Sequence, residues 1–398
     1  MNKVTPVIRA REFYISGPRQ FSERTISISE LPEDQVLLQV IAAGVCGSDR
    51  MCWLGADEEQ GRDAGQICLS HEAAARVLQV GAKATAYKYA LTPNTPIAAG
   101  DIVALDPLAS CDVLYPDAKD KWCYVCKNER LSQGCYCTQQ HFASSPKYDG
   151  FTRTHLIYPA GLLIHLPPQI PRSLSSLVEP LAVGIRAVDF LRQQAEAYHA
   201  RLRRKIPLDE MEYAVIGDGA VGLIIAHTLR GLLSVPRGKL HIFGLNEKKL
   251  GQAEGFAATH LVKGDSLDEV PPEKADFVFE CVGFDSAEFT ISAARRLAKR
   301  EGVVVELGLG EGRARLPISE LVRKGITQVG LNKTRPTDML QVVRNLQDRQ
   351  YAESVLRLLP VKEISVRSAA DVTHAYQLAE RNSRNEVDEL FVKAVMLF

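Results

Sequence analysis

Gly217-Asp218-Gly219-Ala220-Val221-Gly222 lies between a short apolar run, residues 213–216, and an apolar stretch from Ala220 to about Leu233. Glycines spaced G-x-G-x-x-G, with a strand before and a helix after, leave the chain few options. The backbone must turn tightly, come close to a ligand and open a helix whose positive N-terminus suits a pyrophosphate. All six residues, Gly217, Asp218, Gly219, Ala220, Val221 and Gly222, are therefore candidate contacts for a dinucleotide.

The stretches that follow keep the same rhythm. Residues 240–243 read as a strand, Asn246 can cap a helix reaching about Gly255, and residues 277–279 and 303–307 read as two more buried strands with a helical stretch between them. Strands alternating with helices imply βαβ units on a parallel sheet. The second strand also bears on the cofactor. It ends at Gly244-Leu245-Asn246, with Glu247-Lys248-Lys249 just beyond. Gly244 carries no carboxylate to repel a 2′-phosphate, and Lys248 or Lys249 can pair with one although Glu247 lies beside them, so NADP is expected ahead of NAD.

The first part of the chain, to about Val183, has another character. Residues 36–41, 76–80, 101–105 and 154–158 are short β-type runs punctuated by Gly81, Pro107 and Pro159, the pattern of a β-barrel or sandwich. Residues 191–211, polar and Arg-rich, read as an extended connection or insertion between the two regions, with Arg201-Leu202-Arg203-Arg204-Lys205 as a solvated linker or helix end. From about Thr334 the pattern is less regular, with a helical stretch at 338–346 and a strand-like run at 390–395.

Two groups of residues carry metal-binding chemistry. Cys46, in Gly44-Val45-Cys46-Gly47-Ser48-Asp49, and His71, in Ser70-His71-Glu72, are 25 positions apart. They offer a thiolate, an imidazole and a carboxylate, the donors of a catalytic zinc with a position open to substrate. Glu72 or Glu179 can add the oxygen ligand. The second group is Cys111, Cys123, Cys126, Cys135 and Cys137, in which Cys123-x-x-Cys126 plus two further thiols reads as a closed four-cysteine zinc site. Cys111, Cys123, Cys126 and Cys135 are the expected ligands, with Cys137 spare. Cys52, Cys68 and Cys281 read as packing residues.

Taken together, these residues resemble the zinc-dependent medium-chain dehydrogenase/reductase family, in its sorbitol and glucose dehydrogenase branch. The resemblance rests on the Cys46 and His71-Glu72 segments, the cysteine lobe, Leu177-Val178-Glu179-Pro180-Leu181-Ala182-Val183-Gly184 and the glycine loop. It extends to Phe279-Glu280-Cys281-Val282-Gly283, Val304-Val305-Glu306-Leu307-Gly308 and Gly330-Leu331-Asn332-Lys333. Ser70 stands where the family has glycine, and eleven residues, 112–122, separate Cys111 from Cys123 where the family has two.

The resemblance implies an α/β protein: a GroES-like β-barrel catalytic domain at 1–183 with its cysteine lobe at 111–137, a doubly wound Rossmann domain at 184–333, and a return segment at 334–398 that completes the first. It implies Glu179 on the catalytic zinc, Ser48 as the start of a proton relay, Val282, Leu307 and Asn332 against the cofactor, and a homodimer or homotetramer.

The expected activity is hydride transfer between a secondary alcohol (polyol, sugar or cyclitol) and NAD(P). The alternatives are a reductase of a simple aldehyde or biosynthetic ketone, and a non-catalytic NADP-binding protein. Formal net charge is zero with no broad basic face, so a nucleic-acid partner is not expected. Residues 1–10 lack the apolar core of a signal peptide and no apolar stretch reaches spanning length, so a cytoplasmic protein without membrane contact is expected.

Overall fold

In a computed structural model of the protein, the described residues are 7–55, 66–128, 134–145, 147–264, 269–283, 286–309, 314–315 and 317–398. Residues 1–6 of the amino-terminal segment considered above lie outside them. β1 (Ile8–Gly17) and β2 (Gln20–Ile28) form an antiparallel hairpin. Next come β3 (Gln35–Gly44), β4 (Glu72–Val80) and β5 (Ile102–Leu105), then a two-residue pair, β6 (Leu108–Ala109) with β7 (His141–Phe142), and then β8 (His155–Pro159) and β9 (Leu163–Leu166). Residues 36–38 and 40–44 of β3 are nearly all buried, which suits a strand paired on both sides.

The middle of the chain forms a six-stranded, all-parallel sheet. Its strands are β10 (Tyr213–Ile216), β11 (Leu240–Gly244), β12 (Ala258–Leu261), β13 (Ala275–Glu280), β14 (Ala298–Glu306) and β15 (Thr327–Gly330), in the order β12-β11-β10-β13-β14-β15. That order runs outward in both directions from β10, so it reverses between β10 and β13. Ligands of open α/β sheets bind in the crevice at such a switch point, beyond the carboxyl ends of the strands.

The carboxyl-terminal segment then rejoins the first sheet. β16 (Val361–Ser365) pairs parallel with β17 (Lys393–Leu397), and β17 pairs antiparallel with β3. The result is a seven-stranded sheet ordered β16-β17-β3-β4-β5-β9, with β8 also on β3. This register has a chemical consequence. Gly44, the last residue of β3, lies opposite Glu72 on β4 and opposite Val395 on β17.

Two expectations are corrected. Residues 191–211 are not an extended connection: the helix Val178–Leu202 runs unbroken to Leu202, burying Leu191, Ala195 and Tyr198 at helical spacing while Arg192, Glu196 and Arg201 face outward. It ends at Arg203, whose φ of 51° is left-handed, so the basic cluster sits at a helix end. The segment after Thr334 is regular, with helices Pro336–Leu346, Arg349–Leu358 and Ala369–Ser383. No helix of the described residues is long and apolar enough to cross a membrane.

Candidate active site and cysteine lobe

The β3–β4 register brings the metal-ligand candidates together. Cys46 follows the end of β3 and His71-Glu72 opens β4. One ligand atom from each of Cys46, His71 and Glu72 lies within 4.8 Å of the others. The imidazole is aimed by its surroundings. Its Nδ1 is 3.2 Å from Asp49 Oδ1, while Nε2 faces Ser48 Oγ at 3.4 Å. A carboxylate on one ring nitrogen fixes the tautomer and leaves the other free to ligate. Asp49 is itself buried and accepts from Ser144 Oγ at 2.6 Å and from Tyr376 Oη at 3.0 Å. Burial alone would raise its carboxyl, but His71 and these donors hold it below the ordinary range. Ser48 Oγ donates to Cys46 Sγ at 3.3 Å.

Ser70 has a left-handed backbone, φ 68°, that most side chains avoid. Its hydroxyl donates to Gly44 O at 2.8 Å and ties the His71 segment to the Cys46 segment.

Glu179 enters from the first turn of the helix Val178–Leu202 and lines the same cavity, but its carboxylate stands outside the 4.8 Å cluster. It accepts from Thr334 Oγ1 at 3.3 Å. Burial, helped by the charge of Glu72, pushes its carboxyl up to about 7.

Lys393 was not anticipated. From β17 its Nζ reaches across the end of β3 to Glu72 Oε1 at 2.5 Å, and both side chains are buried. The crossing requires a bare backbone between them: a Cβ on Gly44 would lie 2.2 Å from Glu72 Oε2. That oxygen is buried with no hydrogen-bond partner, as expected of an atom that faces an ion. A lone lysine in the otherwise apolar run Phe391-Val392-Lys393-Ala394-Val395 was the available signal.

A cavity of about 780 Å³ joins this cluster to the switch point of the parallel sheet. Of the expected cofactor residues, Gly217, Asp218, Gly219, Ala220, Val221, Gly244, Lys249, Val282, Leu307 and Asn332 line it. Gly222, Asn246 and Lys248 do not. Gly222 instead lets the helix pack on the strand, since a Cβ there would meet Gly217 O at 2.0 Å. Asn246 caps the helix Glu247–Gly251 by accepting from Lys249 N at 3.0 Å. Lys248 donates to Asp388 O at 3.0 Å, and the buried Lys249 donates to Asn382 O at 2.9 Å. Asp218 accepts from Leu245 N and Asn246 N, both at 2.7 Å, so its carboxylate is spent on the end of β11.

In the cysteine lobe, the sulfurs of Cys111, Cys123, Cys126 and Cys137 lie within 4.8 Å of one another. Cys135 is not among them, which corrects the expected ligand set. A turn closed by Cys137 N on Gly134 O separates the two directions. Cys137 Sγ faces Cys111 Sγ at 3.5 Å, whereas Cys135 Sγ turns to Thr334 O at 3.6 Å. Burial pushes the Cys135 thiol up to about 11. The eleven intervening residues loop out through the short helix Cys111–Leu114 and the turn Lys119–Lys121, and Cys123 N still reaches Cys111 Sγ at 3.3 Å. Elemental analysis is expected to show a lobe metal lost in Cys137→Ser and kept in Cys135→Ser. The reverse pattern would restore Cys135 as the ligand.

Residues 32–168 match the alcohol dehydrogenase GroES-like domain family. Ribulose-5-phosphate reductase 2 of Staphylococcus aureus is 26% identical over 375 residues, covering 92% of this chain and 94% of that protein. These matches support the medium-chain dehydrogenase/reductase superfamily for this chain. Sorbitol dehydrogenase of Arabidopsis thaliana is 26% identical over 324 residues, covering 77% of this chain and 75% of that one. In fold, the chain is similar to the S. aureus TarJ structure with NADPH, at TM-score 0.70 and 18% identity, covering 98% of this chain and 99% of that one.

Proposed function

We propose that this chain is a zinc-dependent oxidoreductase that transfers hydride between a secondary alcohol of a polyol or sugar and NADP(H). One observation carries the reading: a sulfur–nitrogen–oxygen donor cluster and a dinucleotide loop open into one cavity. The partnerless Glu72 Oε2 and the Asp49-held imidazole fit a divalent ion on Cys46, His71 and Glu72, with Glu179 close by. Zinc held there supplies Lewis acidity toward an alcohol or carbonyl oxygen. Ser48 Oγ, between Cys46 and His71, holds the proton that leaves the alcohol. The N-terminus of the helix Ala220–Leu233 takes the pyrophosphate, and Asn332 borders the nicotinamide end. Trp53 and Phe142 line the cavity and exclude water from the reacting atoms.

On this reading the catalytic domain comprises 1–183 and 334–398 and the cofactor domain 184–333, and the protein works as a homodimer or homotetramer in the cytoplasm. NADP is preferred to NAD because Lys249 and Arg384 line the cavity beside Gly244, and Lys249 keeps donors beyond the one given to Asn382 O.

The test combines chelation with cofactor titration. Chelator treatment is expected to abolish polyol oxidation and added zinc to restore it. NADPH is expected to bind more tightly than NADH, with the gap closing about tenfold in Lys249→Ala. A protein that binds NADPH yet contains no metal and turns over no alcohol or ketone is the non-catalytic alternative.

A further inference from the structure

We infer that Lys333 anchors a terminal anionic group of the substrate, so that the cleft takes a polyol or ketose bearing a phosphate monoester or carboxylate ahead of a neutral sugar. This rests on the oxidoreductase reading and goes beyond it. The relatives named above divide between a phosphorylated ketose and a neutral polyol, so similarity does not choose between them.

Lys333 follows β15 and lines the cavity with Ser48, Phe142 and Asn332. Its φ of 63° is left-handed, a conformation that non-glycine residues seldom adopt. Its Nζ lies over the Phe142 ring, 5.4 Å from the centroid, and the His71 imidazole packs against the same ring at 5.3 Å. One phenyl ring therefore touches both the ammonium and a candidate metal-ligating side chain.

The charge balance around Lys333 is what calls for a ligand. The ammonium donates to Gln140 Oε1 at 2.6 Å, a neutral acceptor. Among the described residues no carboxylate pairs with it. Two of its three donors are left over. Two other cations that line the cavity differ: Lys393 is matched by Glu72, and Arg384 is matched by Glu380 at 2.8 Å. Burial lowers the pKa of Lys333, and the sulfurs of Cys135 and Cys137 offset this only in part. Folding gains little from such a group, whereas a substrate anion would complete its hydrogen bonds and its charge.

The experiment compares kcat/KM for D-ribulose 5-phosphate, a five-carbon sugar acid and D-ribulose in the native protein, Lys333→Met and Lys333→Arg. Calorimetric titration with inorganic phosphate is run on each. The native protein is expected to prefer an anionic substrate, and whichever anion wins names the group. Lys333→Met is expected to lose about 10- to 100-fold on that substrate, mainly through KM, with a loss on D-ribulose smaller by at least about tenfold. Lys333→Arg is expected to recover most of the loss, and phosphate binding should vanish only in the methionine variant. Equal losses on charged and neutral substrates, or a native preference for D-ribulose, overturn the anchor while leaving the oxidoreductase reading intact. If no substrate is turned over, the oxidoreductase reading fails, and phosphate binding that is the same in all three proteins still refutes the anchor.

Discussion

Cys46→Ala is expected to lower kcat/KM by about a thousandfold or more on any alcohol the protein oxidises, with one fewer metal ion per chain and an unchanged circular-dichroism spectrum. The thiolate is the only sulfur in the donor cluster, and its removal leaves His71 and carboxylates, which hold zinc less well. Lewis acidity is worth several kcal/mol of barrier, and each 1.36 kcal/mol is a factor of ten in rate. The fold should tolerate the change, since Cys46 is only partly buried and loses a single atom from a loop that Asp49 and Ser70 continue to brace. Elemental analysis beside the assay decides the matter. An alanine variant that is both metal-free and fully active would sink the proposed mechanism.

Breaking the Glu72–Lys393 pair is expected to have the largest effect on stability. In Lys393→Met the Glu72 carboxylate stays at the end of β4, buried and without its counter-charge. Removing one partner of a buried ion pair typically costs about 3–5 kcal/mol. Denaturant unfolding of the metal-free protein should register a loss of that order. Glu72→Gln combined with Lys393→Met should recover much of it, because the two substitutions share one interaction. Gly44→Ala should act in the same direction, since its methyl group would occupy the space of Glu72 Oε2. An unchanged unfolding midpoint in Lys393→Met would mean that Glu72 relaxes into solvent and that the pair does not brace the site.

How much of this was legible in the sequence varied along the chain, and the variation has a physical pattern. The parallel-sheet half was readable because each of its signals is local. The glycine loop, the apolar strands around 213, 240, 277 and 303, and the Asn246 cap all lie where a few neighbouring residues dictate the conformation. The helix beyond Leu191 was missed because its outer face is crowded with Arg, Gln and Glu, which hide a buried stripe that depends on Asp276 and Phe277 of a distant strand. In the cysteine lobe, spacing identified four thiols but could not say which way Cys135 and Cys137 point. That direction is set by a turn at Gly134 and by Thr334, 199 residues away from Cys135.

By itself, the sequence determined the kinds of atoms available: a thiolate, an imidazole and a carboxylate upstream, and a phosphate-sized backbone turn downstream. Only the tertiary structure decided which of them meet. Register across β17, β3 and β4 sets Lys393 against Glu72 over the bare Gly44, and the return of the carboxyl-terminal segment makes that register possible. Side-chain chemistry is carried residue by residue, whereas adjacency between strands hundreds of positions apart is a property of the folded sheet.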